Sequence, residues 1–203
     1  MYLVLFIISY LVGSIPIGWI LIKVFKGVDL RTFGSGGTGA TNAWRVNKPI
    51  GVITLIADVS KAYILVVYIV PAMVSESVLI YAMICGIICM IGNAFPFWLK
   101  FKGGKGIDTS LGFFLFLRPE MALIALVLFA LILLISKFVS LSSILAAFSL
   151  ILSYSFLSLI SGDTLFSSQN WYLGVAAIFV FVFAVFTHRD NIKRILDGSE
   201  PKI

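Results

Sequence analysis

The chain has 203 residues, of which 61% are apolar and only 12% charged, with a mean hydropathy of +1.11. A soluble domain carries roughly 25% charged residues. The composition therefore excludes an ordinary soluble enzyme and implies an integral membrane protein built of helices, because a lone span in lipid must satisfy its own backbone. The net charge of +6 is read as a topological signal and an attraction for anionic lipid, not as a nucleic-acid footprint.

In chain order, the apolar segments fall at 2–22, 50–70, 77–98, 107–117, 120–136, 141–160 and 171–187. Most have the roughly 17–25 residues needed to cross about 30 Å of hydrocarbon. The fourth is too short for a full span and is expected to cross only in part, bounded by Arg118-Pro119. The first lacks a basic leader and a small-residue cleavage site, so it is expected to stay in the mature protein.

Seven segments put the termini on opposite faces, and the basic residues choose the faces. Lys23, Lys26, Arg31, Arg45 and Lys48 follow the first segment; Lys100, Lys102 and Lys105 follow the third; Lys137 follows the fifth. Arg189, Lys193, Arg194 and Lys202 follow the last. The alternate connections hold Arg118 beside Glu76, Glu120 and Asp163. The N-terminus is therefore expected outside and the C-terminus in the cytoplasm.

Three cytoplasmic segments are rich in more than charge. Arg31 to Val46, RTFGSGGTGATNAWRV, combines four glycines whose amides suit an anion with Ser35, Thr38, Thr41, Asn42 and the fork of Arg45. Residues 34–39 match G-x-G-x-x-G, but a membrane helix precedes them where the dinucleotide fingerprint needs a βαβ unit. Gly92 to Gly106, GNAFPFWLKFKGGKG, is a bend of lysine and glycine between two apolar segments. Such a bend suits a substrate with a phosphate head and an apolar tail. It is not a Walker A loop, since Gly106 follows Lys105 where Ser or Thr is needed. The last, beginning His188-Arg189-Asp190-Asn191, carries the only histidine where the final span leaves the membrane.

Other polar residues are less telling. Asp58 and Lys61, at i, i+3, share one helix surface and read either as a structural ion pair or as part of the site. Ser142 and Ser143 open the sixth segment and read as helix caps. Cys85 and Cys89 lie four apart inside one span and are expected to be reduced packing residues, with no metal.

Together the three segments resemble the bacterial PlsY-type acyl-phosphate:glycerol-3-phosphate acyltransferases. Its motifs are echoed by GSGGTGATNAWR, FPFWLKFKGGKG and HRDNIKRILDGSE, with GSIPIG at 13–18 and GVDLR at 27–31 upstream. The resemblance covers the whole chain in order and spacing. It implies an all-α fold of seven transmembrane helices in a single domain, 1–203, with cytoplasmic motif loops near 31–48, 99–106 and 188–200. It further implies transfer of an acyl group from acyl phosphate to the 1-hydroxyl of glycerol-3-phosphate at the cytoplasmic face of the plasma membrane. No cofactor, nucleic acid or obligate protein partner is implied.

Carried over residue by residue, the resemblance gives catalytic roles to Ser35, Arg45, Lys105, His188 and Asn191. Gly36, Thr41, Asn42, Gly103, Gly104, Ser142 and Arg189 would bind substrate or phosphate, with Asp58, Lys61 and Glu200 structural. Acyl phosphate is already activated, so positioning and charge stabilisation suffice without a Ser-His-Asp or Cys-His arrangement. A substrate phosphate and His188 are both candidate bases. Three positions depart from the family pattern: Gly37 stands for an Asn, Asn93 for a His and Asp108 for an Ala. They keep a second expectation open, a paralogue that is inactive or uses another polyol phosphate. A transporter of phosphorylated solutes is a third, disfavoured because no internal repeat is visible and the polar segments lie at one face.

Overall fold

The computed structural model describes residues 2–160 and 170–203, and every regular element among them is helical. Asp163, used above for charge asymmetry, lies outside the described residues. Five helical stretches there are long and apolar enough to cross a bilayer: Tyr2–Lys26, Lys48–Met73, Val78–Leu99, Pro119–Ser136 and Val139–Ile160. Trp171–Thr187 and Arg189–Leu196, bent by 59°, make a sixth if they count as one span. Ile107–Leu117, with 11 residues, extends only about 16 Å at 1.5 Å per residue. The chain divides into two compact units, Met1–Phe116 and Leu117–Ile203.

In the first unit, the opening hydrophobic run is two helices, α1 (Tyr2–Ser14) and α2 (Ile17–Lys26). Hydropathy shows one uninterrupted segment here. Pro16 divides it, having no N–H to donate and a ring that clashes with the preceding turn. The break leaves carbonyls without helical partners in an apolar span, where an unpaired group costs several kcal/mol.

Lys61 answers that cost. Its ammonium donates to the Gly13 carbonyl at 3.0 Å and to the Ile15 carbonyl at 3.1 Å. Its charge lies 2.6 Å from the buried Asp58 carboxylate. Both residues belong to α4 (Lys48–Ile64), which follows the short helix α3 (Ala40–Val46). The helix carries on through a widened π turn, Leu65–Ile69, into α5 (Val70–Met73). Pro71 accounts for the widening, since it cannot donate to the turn before it.

α6 (Val78–Ala94) packs along α1. Small residues let the two backbones meet. A Cβ on Gly13 would lie 2.0 Å from the Cys89 carbonyl oxygen, and one on Gly92 would lie 2.4 Å from that of Tyr10. Cys85 and Cys89 are buried free thiols in α6. α7 (Ile107–Leu117) ends the unit, with the Phe113 ring against Gly86 of α6.

The second unit holds α8 (Pro119–Ser136), α9 (Val139–Ile160), α10 (Trp171–Thr187) and α11 (Arg189–Leu196). Proline at the first position of α8 removes an N–H that would have no partner there anyway. α8 stops at Lys137, a left-handed residue with φ 62°. α9 packs against both α8 and α10. Its buried serines are small, and Ser142 and Ser149 donate back to carbonyls of their own turn or of Phe138, so no hydroxyl proton is stranded there.

Replacing one partner of a buried ion pair strands the other, at a cost of about 3–5 kcal/mol. Lys61→Met also takes the Lys61 donor from the Gly13 carbonyl and leaves the Ile15 carbonyl with the Ile17 N–H alone. It is expected to lower the thermal unfolding midpoint in detergent sharply, whereas Lys26→Met at an exposed helix end should not move it.

Candidate active-site loops

The first motif loop is assembled by two side chains. Asp29 accepts from the Arg31 backbone N–H at 2.9 Å, from Arg31 Nε at 3.0 Å, from Arg31 Nη2 at 2.7 Å and from Trp19 Nε1 at 3.0 Å. The Arg31 guanidinium holds the Asp29 carboxyl well below the usual carboxylate range, against a smaller opposing effect of burial. Arg31 also reaches the Leu99 carbonyl at 3.4 Å, which ties this loop to the second one.

Asn42, in α3, is the other organiser. Its Oδ1 accepts from the Ser35 N–H at 3.1 Å, and its Nδ2 donates to the carbonyls of Leu30, Phe33 and Gly37 at 3.0, 3.0 and 2.8 Å. This buried amide holds the loop in one shape. Gly34 and Gly36 adopt φ of 51° and 72°, which favours glycine. Arg45 lies across the turn, its Cδ 3.2 Å from where a Cβ on Gly34 would be. Ser35 and Thr41 are half-buried, and Gly36 is exposed.

The second loop leaves α6 and returns to its last turn. Gly103 N–H donates to the Ala94 carbonyl at 3.1 Å, and Gly104 N–H to the Asn93 carbonyl at 3.0 Å. Both amides are thus directed at the protein. A Cβ on Gly103 would meet the Asn93 carbonyl oxygen and Pro96 Cδ, each at 2.3 Å, so glycine is required by packing. Before the glycines, Lys100 and Phe101 hold φ of 54° and 60°, strain that bulky residues avoid. Lys100 and Lys102 are exposed and Lys105 is half-buried. Tyr10 OH donates to the Phe95 carbonyl at 2.7 Å and Trp98 Nε1 to Ser14 Oγ at 3.1 Å, fastening the bend to the end of α1.

The two loops touch. Thr38 N–H donates to the Gly103 carbonyl at 3.3 Å. The departures from the family pattern all lie near this seam. A Cβ on Gly37 would meet the Gly103 carbonyl oxygen at 3.6 Å and Ser35 Oγ at 3.7 Å, so a side chain fits. Asn93 lies behind the Gly103-Gly104 turn, its Oδ1 2.7 Å from the place a Cβ on Gly104 would occupy. Asp108, half-buried, lies in the first turn of α7, just after the same turn.

In the second unit, His188 is the hinge between α10 and α11 and is 2% exposed. Its Nδ1 lies 2.8 Å from the Ala184 carbonyl oxygen, which can only accept. Nδ1 therefore carries the proton, and Nε2 is the nitrogen whose protonation can change. Asn191 donates from Nδ2 to Glu200 Oε1 at 2.7 Å. Ser140 Oγ donates to the same oxygen at 2.7 Å, and Arg194 Nε donates to Oε2 at 2.8 Å. Burial raises the Glu200 pKa, and the three donors and the arginine charge outweigh it, for a net lowering. Ser142 is fully buried, its hydroxyl on the Phe138 carbonyl at 2.8 Å, and Arg189 is exposed over the Phe186 ring.

Sequence reasoning gave no role to Asp29 or Ser140. An Asp two residues before an Arg at a turn is an Asx-turn pattern that could have marked the first. Ser140 had no signal, because its partner Glu200 is remote in sequence.

A family model described as glycerol-3-phosphate acyltransferase matches residues 3–198. The glycerol-3-phosphate acyltransferase of Fusobacterium nucleatum is 39% identical over 97% of this chain and 95% of its own. That of Staphylococcus carnosus is 38% identical over 100% and 98%. A crystal structure of PlsY, an integral membrane glycerol 3-phosphate acyltransferase in its glycerol 3-phosphate form, matches with TM-score 0.84 and 33% identity. That match covers 100% of this chain and 95% of that one. The polar loops and apolar helices are those of a membrane-embedded acyltransferase. The chain belongs to the glycerol-3-phosphate acyltransferase family.

Two outcomes follow from the loop and tail geometry. Gly103→Ala should push the second loop off the Asn93 carbonyl and lower kcat/KM by about 100-fold, since an ångström of misplacement suffices for that. Glu200→Gln removes a carboxylate that takes three donors, and should cost about 1–3 kcal/mol in thermal unfolding at pH 7. Because the folded pKa of Glu200 is lowered, its contribution is complete above the ordinary value of about 4.3 and fades as pH falls through the lowered one. The gap between wild type and Glu200→Gln should therefore close on acidification.

Proposed function

We propose that this chain transfers a fatty acyl group from acyl phosphate to the sn-1 hydroxyl of glycerol-3-phosphate, giving lysophosphatidic acid and inorganic phosphate. The observation that carries the reading is the family match across residues 3–198, which takes in all three polar segments. In the reaction the hydroxyl oxygen bonds to the acyl carbonyl carbon, and that carbon's bond to the phosphate oxygen breaks. The leaving phosphate takes the bonding pair, and the hydroxyl proton passes to a substrate phosphate or to His188 Nε2.

The side chains have matching parts in this scheme. Arg45 offers a fixed fork to a phosphate, and Lys105 a compact charge. Ser35 and Thr41 add hydroxyl donors beside them. Asn42, Gly103 and Gly104 act by shaping the two loops, as their inward hydrogen bonds suggest. Asn191 and Ser142 support the His188 end of the last span, and exposed Arg189 draws anionic substrate toward it. No nucleophilic side chain is required, because phosphate is already a good leaving group.

The same reading makes residues 1–203 serve one activity, with seven transmembrane helices counting the short α7 and the bent α10–α11 pair. The N-terminus lies outside and the C-terminus inside. The motif loops then face the cytoplasm at the plasma membrane, where both substrates would arise, and the acyl chain lies against the apolar spans.

Phosphate release by the purified protein in lipid, with palmitoyl phosphate and with or without glycerol-3-phosphate, tests this. Release is expected only with the acceptor and should fall about 100-fold or more in Lys105→Ala. Release indifferent to glycerol-3-phosphate, or none at all, overturns the reading. His188→Ala with full turnover across the pH range assigns the proton to the substrate phosphate.

A further inference from the structure

The exposed apolar residues of α10 are Trp171, Val175, Ile178, Val182 and Phe186. Their spacing of three or four puts them on one face of the helix. The next exposed positions at that spacing are Arg189, Lys193 and Leu196, in α11. The line is therefore apolar along the span, cationic just past its end, and apolar again one turn later. The Arg189 guanidinium lies 4.9 Å from the centre of the Phe186 ring, where the apolar part stops.

α11 cannot follow α10 into hydrocarbon. Arg189, Asp190, Lys193 and Arg194 are four of its eight residues, and each charge at bilayer depth is costly. The bend of 59° at His188 turns α11 nearer to the plane across α10 than to the axis of α10. Its inner side is already occupied, since Asn191 and Arg194 both donate to Glu200.

The outer side is ordered by the 3.6-residue turn. Ile192 and Leu196 form an apolar strip, and Leu196 is 81% exposed. Arg189 and Lys193 border that strip. Asp190 and the C-cap Asp197 lie beyond the two cations, on the side away from the strip. Apolar residue, cation, then acid is the order met on passing from acyl chains through lipid phosphates to water.

We propose that α11 lies in the membrane interface and holds the phosphate of an anionic phospholipid on Lys193, beside Arg189, with the lipid's acyl chains against Leu196 and the exposed line of α10. Two cations side by side favour a headgroup of net negative charge over a zwitterionic one, whose ammonium they would repel. The inference concerns a lipid of the surrounding leaflet and stands apart from the acyltransferase reading.

A bimane label on Leu196→Cys tests it, in vesicles of phosphatidylcholine and phosphatidylglycerol in which one lipid or the other carries acyl-chain bromines as quencher. Cys85 and Cys89 are buried, and wild type treated in parallel reports any label they take up. Brominated phosphatidylglycerol should quench more than brominated phosphatidylcholine at the same mole fraction. Lys193→Gln, at an exposed side chain, should cut that preference roughly fivefold, and high salt should weaken it without any further substitution. The same label on Asp197→Cys should be quenched little by either lipid. Equal quenching by the two lipids, a preference that survives Lys193→Gln, or quenching at Asp197→Cys as strong as at Leu196→Cys overturns the proposal. No outcome depends on turnover, so the result is independent of whether glycerol-3-phosphate is acylated.

Discussion

One ammonium group in an apolar span holds the first unit together. Pro16 breaks the opening helix, and Lys61 supplies donors to the carbonyls of Gly13 and Ile15. Water would do this at a protein surface, but hydrocarbon cannot. A buried charge needs a counter-charge, so Asp58 must stand beside it. The chain of obligations runs from a proline in the first span to an ion pair inside the second.

The loops above this core owe their shape to inward-facing groups. Asn42 spends its amide on the backbone of the first loop, and Gly103 and Gly104 spend their N–H groups on the end of α6. Glycine at these two positions is a steric requirement, since a Cβ would strike backbone atoms of Asn93. What the loops then present outward is charge: exposed Lys100 and Lys102, with half-buried Arg45 and Lys105. Rigidity beneath and charge above is the arrangement that positioning catalysis needs, because preorganised donors require no rearrangement as charge moves.

The second unit reaches the same end by a carboxylate. Glu200 gathers Ser140 of α9 with Asn191 and Arg194 of α11, so the C-terminal tail is stitched to the bend at His188. Ile203 N–H also donates to the Lys137 carbonyl at 3.1 Å. A charged acceptor satisfied by three donors is stiffer than an apolar contact of the same size. The His188 imidazole is held by the Ala184 carbonyl in one tautomer.

The sequence by itself determined the membrane class, the approximate spans and the three polar segments, because hydropathy over about 20 residues and clusters of Gly and Lys are local properties. The short Ile107–Leu117 helix and the Asp58–Lys61 pairing were legible for the same reason, one from length and the other from an i, i+3 spacing. The break at Pro16 was not, since apolar residues continue on both sides of it. Tertiary structure alone decided which polar groups serve the loops and which face outward. Asn42 reads as a ligand donor and hydrogen-bonds the backbone of its own loop; Glu200 reads as structural, but only the fold shows that it joins two helices. Each partner lies on a different element, and only packing brings those elements within hydrogen-bond range.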